Sequence, residues 1–283
     1  MATNIGGSDV ATIAVPAVGL DRWQDPLSGT PRAGFVDRWI FVFMAAWFIA
    51  IVLTGFIPNS IMVLAQIKAG QHPPFPPIAH VHAVLMASFL LLLLAQAVLV
   101  ASGRTAFHRR LGLAGMVLAP AMVVSGLILA PTTYHTLWQA AQFGPPEGRQ
   151  QIMWIAEALE NVLLVQITWG VLFTLFLTIG LRARERNAGL HKRMMILAVA
   201  PLMVASIDRI TWLPTTNPAS FLASELYVLL AISPMFLWDV ARSRGLHRAY
   251  WVFLPVYGAA CLWVNLLWDT PSWHATARHI MGV

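Results

Sequence analysis

The sequence lacks most of what a soluble enzyme or a secreted domain relies on. Of 283 residues only one, Cys261, is cysteine, which excludes a disulfide within the chain and a thiolate metal cluster. Charged residues make up 11%, less than half the roughly 25% of ordinary globular domains. There is no Gly-x-Ser-x-Gly nucleophile elbow, phosphate loop, His-Glu-x-x-His, paired-cysteine motif or dinucleotide fingerprint, so the common hydrolase, nucleotide and dehydrogenase chemistries have no foothold. The last long apolar run contains no lysine for a retinal Schiff base, and the chain has no His-x-x-x-His.

What is present is apolar. Hydrophobic residues reach 58% and the mean hydropathy is +0.68, which marks an integral membrane protein. Seven runs approach or exceed the roughly 20 residues that span a hydrocarbon core of about 30 Å. They predict spans at 39–57, 79–101, 111–130, 153–180, 194–213, 222–241 and 250–268. The expected fold is therefore all-α, one seven-span membrane domain over 39–268, with a flexible cytoplasmic tail at 1–38 and a short external tail at 269–283. A cleaved signal peptide is not expected, because residues 1–38 have no basic start followed by a compact apolar core.

Basic residues set the expected orientation, since lysine and arginine in short loops stay on the cytoplasmic side. Arg22, Arg32 and Arg38 precede the first span. Arg104, Arg109 and Arg110, then Arg182, Arg184, Arg186, Lys192 and Arg193, then Arg242, Arg244 and Arg248 fall at alternate links, whereas the other side has only Lys68, Arg149 and Arg278. The N-terminus is expected inside and the C-terminus outside, in a bacterial inner membrane. The net charge of +6 is then explained by topology and anionic lipid, with no case for nucleic acid.

Within this frame a histidine followed by basic residues opens an apolar run three times, at His108-Arg109-Arg110, His191-Lys192-Arg193 and His247-Arg248. Each run is later interrupted by a proline, Pro120, Pro201 or Pro255. The recurrence divides the chain into helix one plus three antiparallel pairs, two with three, four with five and six with seven. Two readings stay open for these histidines. They anchor helix starts at the headgroups, or His108 and His191 bind one b-type haem as axial ligands.

A second set of polar residues falls near the opposite ends of the spans. Span two opens with His80 and His82, span four carries Glu157, Glu160 and Asn161, span five Asp208 and Arg209, and span six Glu225. A charge in mid-membrane costs about 2.5–3.5 kcal/mol on insertion scales and is functional by default. His80, His82, Glu157 and Glu160 suit a divalent metal; His82, Glu157, Glu160, Asp208 and Arg209 equally suit a catalytic site or a proton relay; and the whole layer suits a structural ion-pair network. The candidate functions are a redox or metal-dependent membrane protein, acting on a small molecule or a quinone, a proton-coupled transporter, or a non-catalytic subunit.

The strings His80-Val81-His82-Ala83 with Leu85-Met86, His108-Arg109-Arg110-Leu111-Gly112 and His191-Lys192-Arg193-Met194-Met195 resemble a family of uncharacterised bacterial polytopic membrane proteins over about residues 38–213. That resemblance implies a fold and no activity. His82 to Met86 and His108 are also similar to core-helix starts of the ascorbate-reducible b-type cytochromes, which bind two haems. Span four offers Glu157 where the partner histidine of His82 would stand, so the similarity implies one haem, between His108 and His191.

Overall fold

A computed structural model describes residues 27, 33–143, 149–215, 220 and 222–282. The tail at 1–26 and 28–32 and the Gly144–Gly148 link lie outside the described residues. Nine α-helices run in chain order among them: α1 (Phe35–Lys68), α2 (Pro77–Ala101), α3 (Thr105–Phe143), α4 (Arg149–Ala183), α5 (Ala188–Val199), α6 (Val204–Ile207), α7 (Leu222–Ser243), α8 (Arg248–Leu267) and α9 (Pro271–Met281). A 3-10 turn, Ala200–Met203, joins α5 to α6, so the two make one interrupted span. Seven spans are long and apolar enough to cross a membrane. The chain is a multi-pass helical membrane protein, and its exposed Leu53, Leu91, Leu113, Val117, Leu230 and Leu266 form the kind of surface that meets lipid.

The spans begin and end where local chemistry allows. Pro77 stands at the first position of α2, where its missing N–H costs nothing. Asn187 caps α5 by accepting from the Leu190 N–H at 2.9 Å. Pro201 interrupts the α-helical ladder of that span and the chain passes through a 3-10 turn. The third span is longer than the apolar run predicts: α3 continues through Pro131 to Phe143. Thr132 bonds back to Ile128 O at 2.7 Å, and Tyr134, Leu137 and Ala141 bury one continuing face. Packing along that face outweighs the single hydrogen bond Pro131 removes. The first span likewise passes through Pro58 and ends at Lys68, and the expected external tail contains α9.

The interrupted α5–α6 span is the most enclosed, with α1, α4, α7 and α8 around it, while α2 and α3 lie along α1 and α4. One end of the bundle gathers the starts of α1, α5 and α8 and the end of α7. There Arg193, fully buried, donates to both oxygens of Asp239 at 2.5 and 2.8 Å and to Gly189 O at 2.9 Å. Asp37 of α1 accepts from Trp238 Nε1 at 3.0 Å and Arg242 Nε at 3.2 Å, both on α7. Arg193, counted above among the topogenic cations, is thus an internal one. Near the other end Gly55 of α1 rides directly on the Ser206 backbone, and a Cβ there would overlap the Ser206 carbonyl.

Two outcomes follow. Asp239→Asn leaves a buried guanidinium without its counter-charge and is expected to cost about 3–5 kcal/mol, read as a lower thermal midpoint in detergent; an unchanged midpoint refutes the pairing. Gly55→Ala forces α1 off α6 and is expected to cost about 1–3 kcal/mol in the same assay, whereas Gly258→Ala, with open space around the new carbon, serves as the control.

Candidate functional site

The polar residues singled out in the sequence fall into separate groups. Glu160 is fully buried on α4 and is held from three sides. Its Oε1 accepts from Tyr134 of α3 at 2.8 Å and from Arg278 of α9 at 2.8 Å, and its Oε2 meets His274 Nδ1 at 2.6 Å. The Trp273 indole donates to its backbone carbonyl at 2.8 Å. The Glu160 contact holds the Arg278 guanidinium above its ordinary pKa. At 1.5 Å per residue Glu160 lies about 35 Å along α4 from Ala183, which places it near the edge of a hydrocarbon layer of about 30 Å.

Asn161, one residue on, does a different job. Its amide accepts from the Asp269 N–H at 3.0 Å and donates to Asp269 Oδ1 at 3.3 Å. Asp269 has φ 59°, a left-handed conformation unusual outside glycine, and the two-point clamp fixes it. The chain then turns into α9, which Thr270 caps and Pro271 opens. Trp273, Ala277 and Met281 recur every fourth residue and form the buried face, while His274 and Arg278, also one turn apart, reach Glu160.

The remaining members stand elsewhere. His82 bonds through Nδ1 to Ser125 Oγ of α3 at 2.9 Å, close against Gly126. His80 is exposed, with Phe75 edge-on at 6.2 Å. Glu157 is exposed. Asp208 follows α6 and accepts from Ser224 of α7. Arg209 bonds to Ala205 O of its own turn and lies over the Phe56 ring at 4.7 Å. Glu225 of α7 accepts from Asn265 of α8 at 2.8 Å. The layer is at one end of the bundle, but His82, Glu157, Glu160 and Asp208 do not share one centre.

Among the described residues no three His, Cys, Asp or Glu side chains are placed to hold a metal ion. The reason at Glu160 is visible. His274 spends Nδ1 on Glu160 and Nε2 on Asp269, at 3.1 Å, so the two carboxylates lie on opposite edges of the ring.

The three basic-flanked histidines also part company. His247 caps α8, accepting from the Ala249 N–H at 3.1 Å. His108 of α3 and His191 of α5 face each other with ring centres 6.3 Å apart and planes 78° apart. His191 Nδ1 contacts Gly180 O of α4 at 2.9 Å, which fixes that nitrogen as the donor and leaves Nε2 with a lone pair. His108 Nδ1 is buried without a hydrogen-bond partner, and so is the amide oxygen of Gln96 on α2. A cleft of about 360 Å³ at the same end is lined by Met116, Thr178, Leu181, Arg182, Arg184 and Glu185. Here polar atoms remain unspent.

Sequence reasoning missed Tyr134, His274, Arg278 and Asp269. A Thr-Pro start, apolar residues at every fourth position and Gly282 after the last turn are a legible helix signature for α9; its shortness hid it among spans. No protein-family model, no curated protein and no solved structure matches the chain.

Removing the charge of Glu160 tests what the α9 contact does. In Glu160→Gln the Arg278 and His274 contacts weaken, and α9 amides are expected to exchange with deuterium at least several-fold faster while α5 and α7 stay protected. Unchanged exchange in α9 would show that Trp273, Ala277 and Met281 hold the helix alone.

Proposed function

We propose that this chain is a membrane-bound one-electron carrier in which His108 and His191 hold one b-type haem near the arginine-rich end of the bundle. The observation that carries the reading is the facing histidine pair. Two imidazoles that would hold one metal through bonds of about 2 Å would have ring centres on the order of 6 Å apart, and these stand at 6.3 Å. The Gly180 carbonyl orients His191 as carbonyls orient metal-bound histidines, and the partnerless His108 Nδ1 is a buried polar atom that packing alone leaves unexplained. Haem held there supplies reversible ferric–ferrous electron transfer. Arg109, Arg110, Arg182 and Arg184 offset carboxylate side groups.

The same reading takes the arginine-rich end as cytoplasmic, with the N-terminus inside, the C-terminus outside and the helices paired two with three, four with five and six with seven, in a bacterial inner membrane. Arg193 drops from the charge asymmetry because it pairs with Asp239; the remaining arginines keep the bias. The weaker resemblance to b-type cytochromes supports the same two histidines. The electron partner is a quinone or small molecule reaching the bundle from the membrane or its surface.

The purified protein, produced with haem supplied, is expected to show a Soret band at one haem per chain. His108→Ala and His191→Ala are expected to lose it; His247→Ala, which removes the α8 cap and leaves the histidine pair intact, is expected to keep it. A folded wild type with no Soret band, or a band untouched by both substitutions, defeats the proposal.

A further inference from the structure

Glu225 stands apart from the other buried carboxylates among the described residues. Asp37, Glu160 and Asp239 each meet an arginine. Glu225 is 2% exposed, and its Oε2 accepts from the neutral amide of Asn265 at 2.8 Å. Its other oxygen, Oε1, is buried with no hydrogen-bond partner. The surroundings from α8 are Asn265, Cys261 and Tyr257, whose hydroxyl donates to the Glu225 carbonyl at 3.1 Å. From α4, Trp169 stacks on Tyr257 at 5.5 Å, and its indole nitrogen is a second buried polar atom without a partner. From the turn after α6, Asp208 is bound to the adjacent Ser224, while the neighbouring Arg209 bonds to Ala205 O and lies over the Phe56 ring.

One feature of the fold favours a carboxylate here, and its size decides the matter. Glu225 lies in the first turn of α7, where the helix dipole gives a negative charge modest support. Burying an unpaired ion costs more than that support supplies. One neutral hydrogen bond does not close the difference. A neutral carboxyl needs no counter-ion, and its proton sits on the buried oxygen that has no partner.

We infer that Glu225 is a proton-binding site of the membrane domain, a carboxyl between α7 and α8 that takes one proton from water at the α9 end and returns it there. Uptake forms the carboxyl O–H bond and breaks one O–H bond of hydronium, leaving water, and release runs the same step in reverse. Ser220, half-buried, donates to Asn265 Oδ1 at 2.7 Å, and Asn265 donates in turn to Glu225, so the carboxyl lies one side chain inside the surface. At about 21 Å along α7 from Asp239, it is remote from the histidine pair, and the inference stands whether or not haem binds.

Infrared spectra of the full-length protein in lipid, in light and heavy water, read the group directly. Wild type minus Glu225→Gln is expected to show a protonated-carboxyl C=O band that shifts in heavy water and is lost as pH rises. A carboxylate band in its place throughout the pH range overturns the inference. Where the glutamine variant does not fold, a membrane-soluble carbodiimide on the wild type gives a second readout. The peptide carrying Glu225 is expected to gain the adduct at low pH and lose it at high pH, while labelling confined to other acids overturns the assignment.

Discussion

The bundle depends on a guanidinium that never reaches water. Arg193 is fully buried, and its bidentate bond to Asp239 with a third bond to Gly189 O leaves neither charge an alternative partner. Each ion withdrawn from water costs several kcal/mol, so the pair tolerates little displacement of α5 along α7. Because α5 lies among α1, α4, α7 and α8, fixing its register fixes theirs. Asp37 extends the constraint outward by tying the start of α1 to Trp238, the residue before Asp239, and to Arg242, about one turn after it. In a membrane, where apolar surface does not discriminate between helix neighbours, such directional contacts decide which helices meet and at what height.

The opposite end reaches order by saturation. Glu160 has both oxygens and its carbonyl engaged, and Asn161 is consumed by a strained corner. A carboxylate with both oxygens bonded to side chains from two other helices is held too well to exchange ligands. Chemistry needs unsatisfied groups, and among the described residues those are few: His108 and Gln96 at the arginine-rich end, Glu225 and Trp169 toward the other. The places where packing fails to satisfy a polar atom are therefore more informative than the places richest in charge.

Seven spans and the arginine asymmetry are legible in the sequence because both rest on composition within windows of about 20 residues. Their ends are less so. Pro131 looks like a terminator, yet one lost hydrogen bond is outweighed by the buried face that continues beyond it, as Tyr134 and Leu137 show; α1 also runs on through Pro58, although its buried residues end at Gly55. The polar layer is legible as a level and illegible as a site. Height along a helix follows from residue number, but the direction of a side chain depends on helix rotation, which no run of apolar residues specifies when lipid and neighbour are equally apolar. That is why Glu160 and His82, both toward one end of the bundle, meet α3 at Tyr134 and at Ser125, about 13.5 Å apart along that helix, and face different partners. The threefold histidine element reads as one motif because its local sequence is one motif. Its copies differ in what they meet: His108 and His191 have each other, and His247 caps its own helix start.

The separation of the two unsatisfied places has a physical consequence. His191 and Arg193 share the first turns of α5, and Asp239, bonded to Arg193, is on the same helix as Glu225. A rigid path thus runs from the histidine pair through α5, across the buried ion pair, and along α7 to the proton-binding carboxyl. The other route follows the interrupted span to Asp208, whose bond to Ser224 ends beside the same glutamate. The 3-10 turn at Pro201 lies in that route, and a segment with poorer hydrogen-bond geometry is where a helix yields first. A charge change at the histidines would strain α5 against an ion pair that cannot shift, so displacement would be taken up at Ala200–Met203 and passed to Asp208. Were haem held at the proposed histidine pair, coupling between it and the proposed proton site would need no continuous wire, only a stiff connection and a compliant one meeting at Glu225.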